Sequence, residues 1–378
     1  MTRTILALDF GGTKLSAALF TAQDSTPRRE DAKAQRDSSS ASWRLRALAL
    51  NSSLRLITPD GADAAYELAA MVALARELLE GRAPDAIGVS FGGPVDYASG
   101  VVRLSHHVRG WESVPLRERL AAEFGCPVAV DNDANVAALG EHRFGAGRGV
   151  ADMMYVTVST GVGGGWILDG RPWRGHEGLA GEIGHTVADP AGPLCLCGKQ
   201  GCVERLASGP YMAGDLAQER DAEKRRGAQR NAEEEKRNTE LHGGAQRDTE
   251  KESQDISSSA SLPSLSVSQR SSTLLTGQDV AERAAAGDEA ARAILLRGAW
   301  ALGVGLGNAA NLINPQRFVL GGGVTKAGEA WWAEVRRSAA ATALPEVRFD
   351  VVPAALGDDA PLWGALALAE GLSADWAD

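Results

Sequence analysis

Residues 3–20 read RTILALDFGGTKLSAALF, and residues 153–168 read MMYVTVSTGVGGGWIL. Each is an apolar run, a glycine turn and a second apolar run. Residues 3–8 predict a buried strand and residues 14–20 its hairpin partner; residues 153–159 and 166–168 predict a second pair around the loop 160–165. Glycines let backbone N–H groups approach an anion closely, and the hydroxyls of Thr13, Ser159 and Thr160 add donors. The second loop is not a dinucleotide fingerprint. Such a loop must open a helix, whereas Trp166-Ile167-Leu168 continues as a strand. Two hairpins of one kind predict two related halves.

The rest of the chain alternates strands and helices, which predicts an α/β protein. A helix is expected over residues 63–79, where Tyr66, Ala69, Ala70, Ala73 and Leu74 recur at helical spacing behind Asp60 as cap. Residues 86–91 predict a strand ending in the turn Gly92-Gly93-Pro94, and residues 101–104 a short strand. Residues 115–124 predict a helix stopped by Gly125. Strand 128–131 runs into a helix over 134–142, and residues 203–218 predict another. Residues 290–312 form a long helix rich in small residues. A strand (318–320), the turn Gly321-Gly322-Gly323, a helix (327–339), a strand (348–352) and a closing helix (361–372) complete the pattern.

Two segments break it. Residues 219–276 begin as a mixed charge run and end in serine-rich sequence, with almost no large apolar residues to offset the entropy of ordering. Residues 25–42 are also polar and aperiodic, and AQRD occurs in both regions, at 34–37 and 245–248. Both read as related low-complexity insertions in surface loops, disordered over 219–276. The charged half has an alternative reading as a solvated helix, because Glu-to-Lys/Arg spacings of four recur in it.

With 378 residues the chain has room for two domains. A net charge of −10 gives no support to a nucleic-acid or membrane partner, both of which call for basic surface. The N-terminal apolar run ends at Asp9, too early for a signal peptide, and residues 299–313 are too short to span a bilayer. Few cysteines, no signal and clustered thiols indicate a reducing cytoplasm.

Three further stretches carry chemistry. Residues 176–204, HEGLAGEIGHTVADPAGPLCLCGKQGCVE, hold three of the four cysteines, Cys195, Cys197 and Cys202, with His185 just upstream. Soft thiolates and an imidazole gathered by glycine turns suit a closed tetrahedral zinc site better than a set of inert buried thiols. Two carboxylates, Glu182 and Glu204, bracket the four. In VDNDAN, residues 130–135, Asp133 begins a helix after a buried strand. Capping accounts for an Asn or Asp there, and a general base toward a bound hydroxyl is the other reading. Capping by Asn132 or Asp131 would leave Asp133 available for that role. Asp9, at its strand end, could hold a Mg²⁺ hydration shell. The glycines of LGGGV, residues 320–324, could accept a flat adenine.

Taken together, DFGGTK (9–14), GGPVD (92–96), VDNDAN (130–135), STGVGGG (159–165), GLAGEIGH (178–185), CLCGKQGCVE (195–204) and VLGGGV (319–324) resemble the ROK family of repressors, open reading frames and kinases. They occur in family order and cover nearly the whole chain outside the two insertions, and the GEIGH and CxCGxxGCxE pair is specific to the family. The resemblance implies an actin-like (ribonuclease-H-like) ATPase fold: two α/β domains with a sugar cleft between them. Residues 1–115 with 361–378 would form the smaller domain and residues 116–360 the larger. It implies transfer of the ATP γ-phosphoryl group to a sugar hydroxyl, with Asp133 as catalytic base. Gly93, Asn132, Glu182, His185 and Glu204 would bind sugar. Asp9, Gly11, Gly12, Thr13, Lys14, Thr160 and Gly161 would line the phosphate and Mg²⁺ site, and Gly321 and Gly322 would lie near the adenosine. His185, Cys195, Cys197 and Cys202 would hold structural zinc. His107 stands where many members carry an asparagine, and is a sugar ligand or a residue of the rim.

Within the family, glucokinase is the first expectation, N-acetylmannosamine kinase the second and fructokinase the third, with ATP preferred over polyphosphate. A repressor would carry a helix-turn-helix domain ahead of the first glycine motif, and only eight residues precede Asp9 here. A non-catalytic sugar sensor is the alternative of a different class, and the intact Asp133 argues against it. A cytoplasmic homodimer or homotetramer is the expected form.

Overall fold

The computed structural model describes residues 2–23, 48–105, 107–242 and 275–372. The elements run β1 (Thr2–Gly11), β2 (Lys14–Gln23), β3 (Leu48–Ile57), α1 (Ala64–Leu79), β4 (Ala86–Phe91), β5 (Val95–Asp96), β6 (Val101–Val102), α2 (Leu116–Phe124) and β7 (Val128–Asn132). They continue with α3 (Asp133–Phe144), β8 (Met153–Val158), β9 (Val162–Leu168), β10 (Arg171–Trp173), α4 (Val203–Ala207), α5 (Gly209–His242), α6 (Gly277–Ala285) and α7 (Glu289–Ile313). β11 (Arg317–Gly321), α8 (Glu329–Thr342), β12 (Asp350–Pro353) and α9 (Ala360–Gly371) close the chain.

The two hairpins seed two sheets of one design. The first has the order β3-β2-β1-β4-β7 and the second β10-β9-β8-β11-β12. In each, three antiparallel strands are followed by two strands parallel to the central one. Alternation along a strand sends successive side chains to opposite faces. Leu6, Leu8 and Phe10 of β1 pack with Met71 and Leu78 of α1, while Ile5 and Ala7 pack with Leu362 and Leu366 of α9. In the second sheet Met154, Val156 and Val158 meet Leu302 and Leu306 of α7, while Met153 and Tyr155 meet Ala137 and Ala138 of α3.

The helices are exchanged between halves. α3 leaves the first sheet and packs on β8 and β9; α9 leaves the second and packs on β1 and β4. The two cross at a glycine contact: a Cβ on Gly364 would lie 1.8 Å from the Val136 carbonyl oxygen, and one on Gly140 2.6 Å from that of Ala360.

Several sequence expectations shift. β3 was not expected, because Asn51-Ser52-Ser53 breaks its apolar pattern; Leu54 and Leu56 nevertheless pack on the first core. α6 and β10 carry no clear sequence pattern either, and the cap of α1 is Asp63, whose side chain accepts from Tyr66 N at 2.9 Å, not Asp60. The loop expected over 160–165 is shorter, since β9 starts at Val162. Gly164 and Gly165 lie within the strand because other backbone presses against it: added Cβ atoms would lie 2.8 Å from Gly181 O and 2.4 Å from Ala134 O. β7 pairs with β4, so the first sheet extends to Asn132, past the boundary expected at residue 115.

Residues 219–242, expected to be disordered, continue α5. Met212, Ala213 and Leu216 anchor its first turns in the core, and Arg220 pairs with Asp288 at 3.1 Å, so the charged half extends a nucleated helix. The rest of that segment, over 243–274, and the whole of 25–42 lie outside the described residues. One helix among the described residues, α7, is long and apolar enough to cross a membrane; 61% of its apolar window is buried within the protein.

Candidate active site

The strand ends of the first sheet deliver the acidic centre. Registry places Asp9 beside Ser90 and Phe91 beside Asn132, so β1, β4 and β7 end at one edge. Asn132 caps α3, its Oδ1 accepting from Ala134 N at 3.0 Å and Asn135 N at 3.4 Å, and its Nδ2 donates to Gly93 O at 3.1 Å. Asp133 is the first residue of α3 and shares the Ala134 N–H at 2.8 Å.

Electrostatics single out two of these carboxylates. Burial pushes Asp133 up to about 7, helped by the charges of Asp9 and Glu182 and opposed by the Ala134 N–H and the Asn132 side chain. Burial likewise raises Asp9 to about 6, against the Ser90 hydroxyl, which donates to Oδ1 at 2.8 Å, and the charges of Lys14 and Arg55. Asp133 therefore feels the charges of both Asp9 and Glu182, and Lys14 acts on Asp9. Such a cluster suits a cation and a polyol.

Three glycine turns lie at strand ends of the two sheets, one in the first sheet and two in the second. Gly11 ends β1, Gly12 and Thr13 form the turn, and Lys14 opens β2. His107, exposed, lies over that turn: a Cβ on Gly12 would come within 2.7 Å of the His107 Cβ. The second turn, Ser159 to Gly161 with exposed Thr160 at its tip, is closed by Ser159 N donating to Gly161 O at 2.9 Å. Glu204 grips its far side, Oε2 accepting from Val162 N at 3.0 Å. The third, Gly321 and Gly322, backs onto β8. There Gly322 has a φ of +89° and a Cβ would lie 2.4 Å from Val158 O, so only glycine fits.

The segment with the cysteines docks on β9. Gly181 (φ +98°) and Gly184 are needed there, because added Cβ atoms would lie 2.3 Å from Gly164 O and 2.0 Å from Val162 O. This contact sets Glu182 and the short 3₁₀ turn Ile183–His185 against β9. Downstream, Cys195 N donates to Lys199 O at 2.8 Å and Gly198 N to Cys195 O at 2.9 Å, folding a tight knuckle. One ligand atom each from His185, Cys195, Cys197 and Cys202 lies within 4.8 Å of all the others. Cys197 Sγ is 3.5 Å from Cys202 Sγ, and Cys195 Sγ 4.0 Å from His185 Nδ1. Donors on a tetrahedral zinc with bonds of about 2.0–2.3 Å stand at about such separations, so the four residues fit the ion.

Some supporting residues gave no sequence signal. Trp111 is fully buried between Phe10 and Phe91, with ring centroids at 5.5 and 4.8 Å, and its Nε1 donates to Glu67 Oε2 at 2.8 Å. Phe10, one of its partners, directly precedes the first glycine turn. Arg174 and Asp131 pair at 2.7 Å beneath Asn132. A tryptophan and an arginine in glycine-rich loops could have been singled out, but their partners lie far away in sequence.

The duplicated sheets, each with a glycine turn in its hairpin, and the exchanged helices define the actin-like ATPase fold. The ROK family's profile matches residues 65–371, and the chain belongs to that family. A glucokinase of Halalkalibacterium halodurans is 35% identical over 287 residues, 74% of this chain and 75% of that one. An N-acetylmannosamine kinase of Shigella flexneri is 36% identical over 226 residues, 57% of this chain and 66% of that one. A solved ROK glucokinase from Streptomyces griseus, in complex with glucose and AMPPNP, superposes with a TM-score of 0.67 at 29% identity, covering 97% of this chain and 99% of that one.

Proposed function

We propose that this chain is an ATP-dependent sugar kinase that phosphorylates glucose at a hydroxyl group, giving glucose 6-phosphate. The observation that carries the reading is Asp133, a buried carboxylate raised to about 7 under the influence of Asn132, Asp9 and Glu182, at the edge where β1, β4 and β7 end. The relatives support the donor and the acceptor: the Halalkalibacterium protein is a glucokinase, and the Streptomyces structure holds glucose with an ATP analogue.

Phosphoryl transfer needs positioning and charge stabilisation more than covalent help. In this reading Asn132, Glu182, His185, Glu204 and the Gly93 backbone hold the sugar, and Asp133 takes the proton of the attacking hydroxyl. Backbone N–H groups of Gly11, Gly12 and Gly161, with Thr13, Thr160 and Lys14, receive the phosphates, while Gly321 and Gly322 leave room for adenosine. Asp9 would hold Mg²⁺, which supplies charge neutralisation at the transferred group. Cys195, Cys197, Cys202 and His185 would hold zinc as a clamp. With Nδ1 turned toward the thiols, the second ring nitrogen of His185 is left for a sugar hydroxyl. Glu204 would touch both substrates, since it already binds the second phosphate turn. His107, lying on Gly12, belongs to the rim where sugar and phosphate meet.

N-acetylmannosamine kinase is the second reading, favoured by the identity to the Shigella enzyme. A coupled ATP-to-ADP assay over glucose, mannose, fructose, N-acetylglucosamine and N-acetylmannosamine decides between them. Turnover with glucose is expected; activity confined to an N-acetylated sugar would replace the assignment, and none with any sugar would favour a sensor.

A further inference from the structure

Asp131 lies directly before the proposed sugar ligand and base, and its side chain is 3% exposed. Its Oδ1 accepts from Asn132 N at 2.8 Å and from Asn135 Nδ2 at 3.2 Å. Those bonds hold the first turn of α3 in place. Its Oδ2 accepts from Arg174 Nε at 2.7 Å.

Arg174 comes from the other half. It follows β10, at the edge of the second sheet, and its carbonyl accepts from Ala180 N at 3.0 Å, closing the loop that leads to Glu182 and His185. Its guanidinium lies 3.6 Å from the centroid of the Tyr97 ring, on the turn between β5 and β6. The same loop touches that hairpin at Gly178, where a Cβ would lie 3.2 Å from Val95 O. One planar side chain thus joins the catalytic strand end, the hairpin beside Gly93 and the sugar-facing loop. A guanidinium fits because its plane can stack on a ring while its edge donates to the carboxylate; an ammonium is a point charge without that plane.

We propose that Arg174 is a positioning residue that sets the separation between the Asn132-Asp133 strand end and the Glu182-His185 loop. The inference rests on the reading of Asp133 as the base. The pair also neutralises a buried charge, and that purely structural role predicts something different. If Arg174 serves only to neutralise Asp131, removing the carboxylate along with the guanidinium restores activity. If Arg174 positions the loop, it does not.

The test uses the full chain with glucose and ATP, and four variants: Arg174→Met, Arg174→Lys, Arg174→Met combined with Asp131→Asn, and Asp133→Asn. Arg174→Met is expected to lower kcat by about 10- to 100-fold, as a misplacement of about 1 Å does, with KM for ATP changed less than about twofold. Its thermal midpoint falls, because the Asp131 charge is left buried and unpaired. The double variant regains the midpoint, since the introduced amide still accepts from Asn132 N and Asn135, but kcat stays low. Arg174→Lys recovers part of kcat. Wild-type kcat in Arg174→Met or in the double variant overturns the proposal. So does failure of both to fold, which assigns Arg174 to the fold alone. Near-wild-type turnover of Asp133→Asn sinks the base reading itself, a result separate from the Arg174 outcomes.

Discussion

Asp133 is placed where a carboxylate is hard to ionise, and the cost is useful only if it collects a proton during turnover. With the proposed base raised to about 7, kcat/KM is expected to fall about tenfold per pH unit below that value and to level off above it. Asp133→Asn should lower kcat by about 10²- to 10⁴-fold and leave the fold intact. The same residue gives a stability signature. Its folded pKa lies above the ordinary 3.8, so the native protein holds a proton that the unfolded chain releases. Its contribution is complete below about pH 4 and is lost as pH rises to about 7. The Asn variant should therefore gain thermal midpoint over wild type across that window, with the gain constant above it; a scan of melting temperature against pH checks this. Asp9 and Asp133 stood out in the chain because a strand end followed by glycine, or by a helix start, is a local pattern. Ser90 and Arg174 did not, because their partners lie 81 and 43 residues away.

At the scale of elements, the knuckle over Cys195 to Cys202 and the 3₁₀ turn at His185 share one proposed ion. Removing zinc with a chelator should raise KM for glucose by about tenfold or more and change KM for ATP far less. Hydrogen exchange should accelerate across residues 183–203 in the same sample; full sugar affinity in demonstrably zinc-free protein would refute the clamp. Glycine placement offers a second test. Gly364→Ala puts a methyl against backbone at the crossing of α3 and α9 and should cost about 3 kcal/mol. Gly214→Ala, on an exposed turn of α5 with nothing within 4 Å, should stabilise by about 0.5–1 kcal/mol. Chemical denaturation of both measures the contrast. The glycines of β9 show why such distinctions escape a sequence: STGVGGG suggests one long loop, yet two of its glycines, Gly164 and Gly165, serve close contacts of a strand.

For the whole molecule, the exchange of α3 and α9 ties the halves into one structure. Glu141, fully buried on α3, accepts from Ala146 N at 2.7 Å, Ala355 N at 3.1 Å and Leu356 N at 2.8 Å, joining α3 to the chain that leads from β12 into α9. Glu141→Ala would strand those donors and should cost about 3 kcal/mol or more. The loss should appear equally in the slowest-exchanging amides of β1, β4, β8 and β11; protection lost in one sheet alone would show that the halves unfold separately. The amino-acid order alone specified the α/β class, the two glycine hairpins, the metal-ligand spacing and the acidic strand end, because each depends on neighbours a few residues apart. Which sheet receives β7, which half each helix covers, how far α5 extends into the charged run and what holds Asp131 were settled only by tertiary packing. Those choices depend on close backbone approach and on burial between residues distant in the chain, which no local pattern encodes.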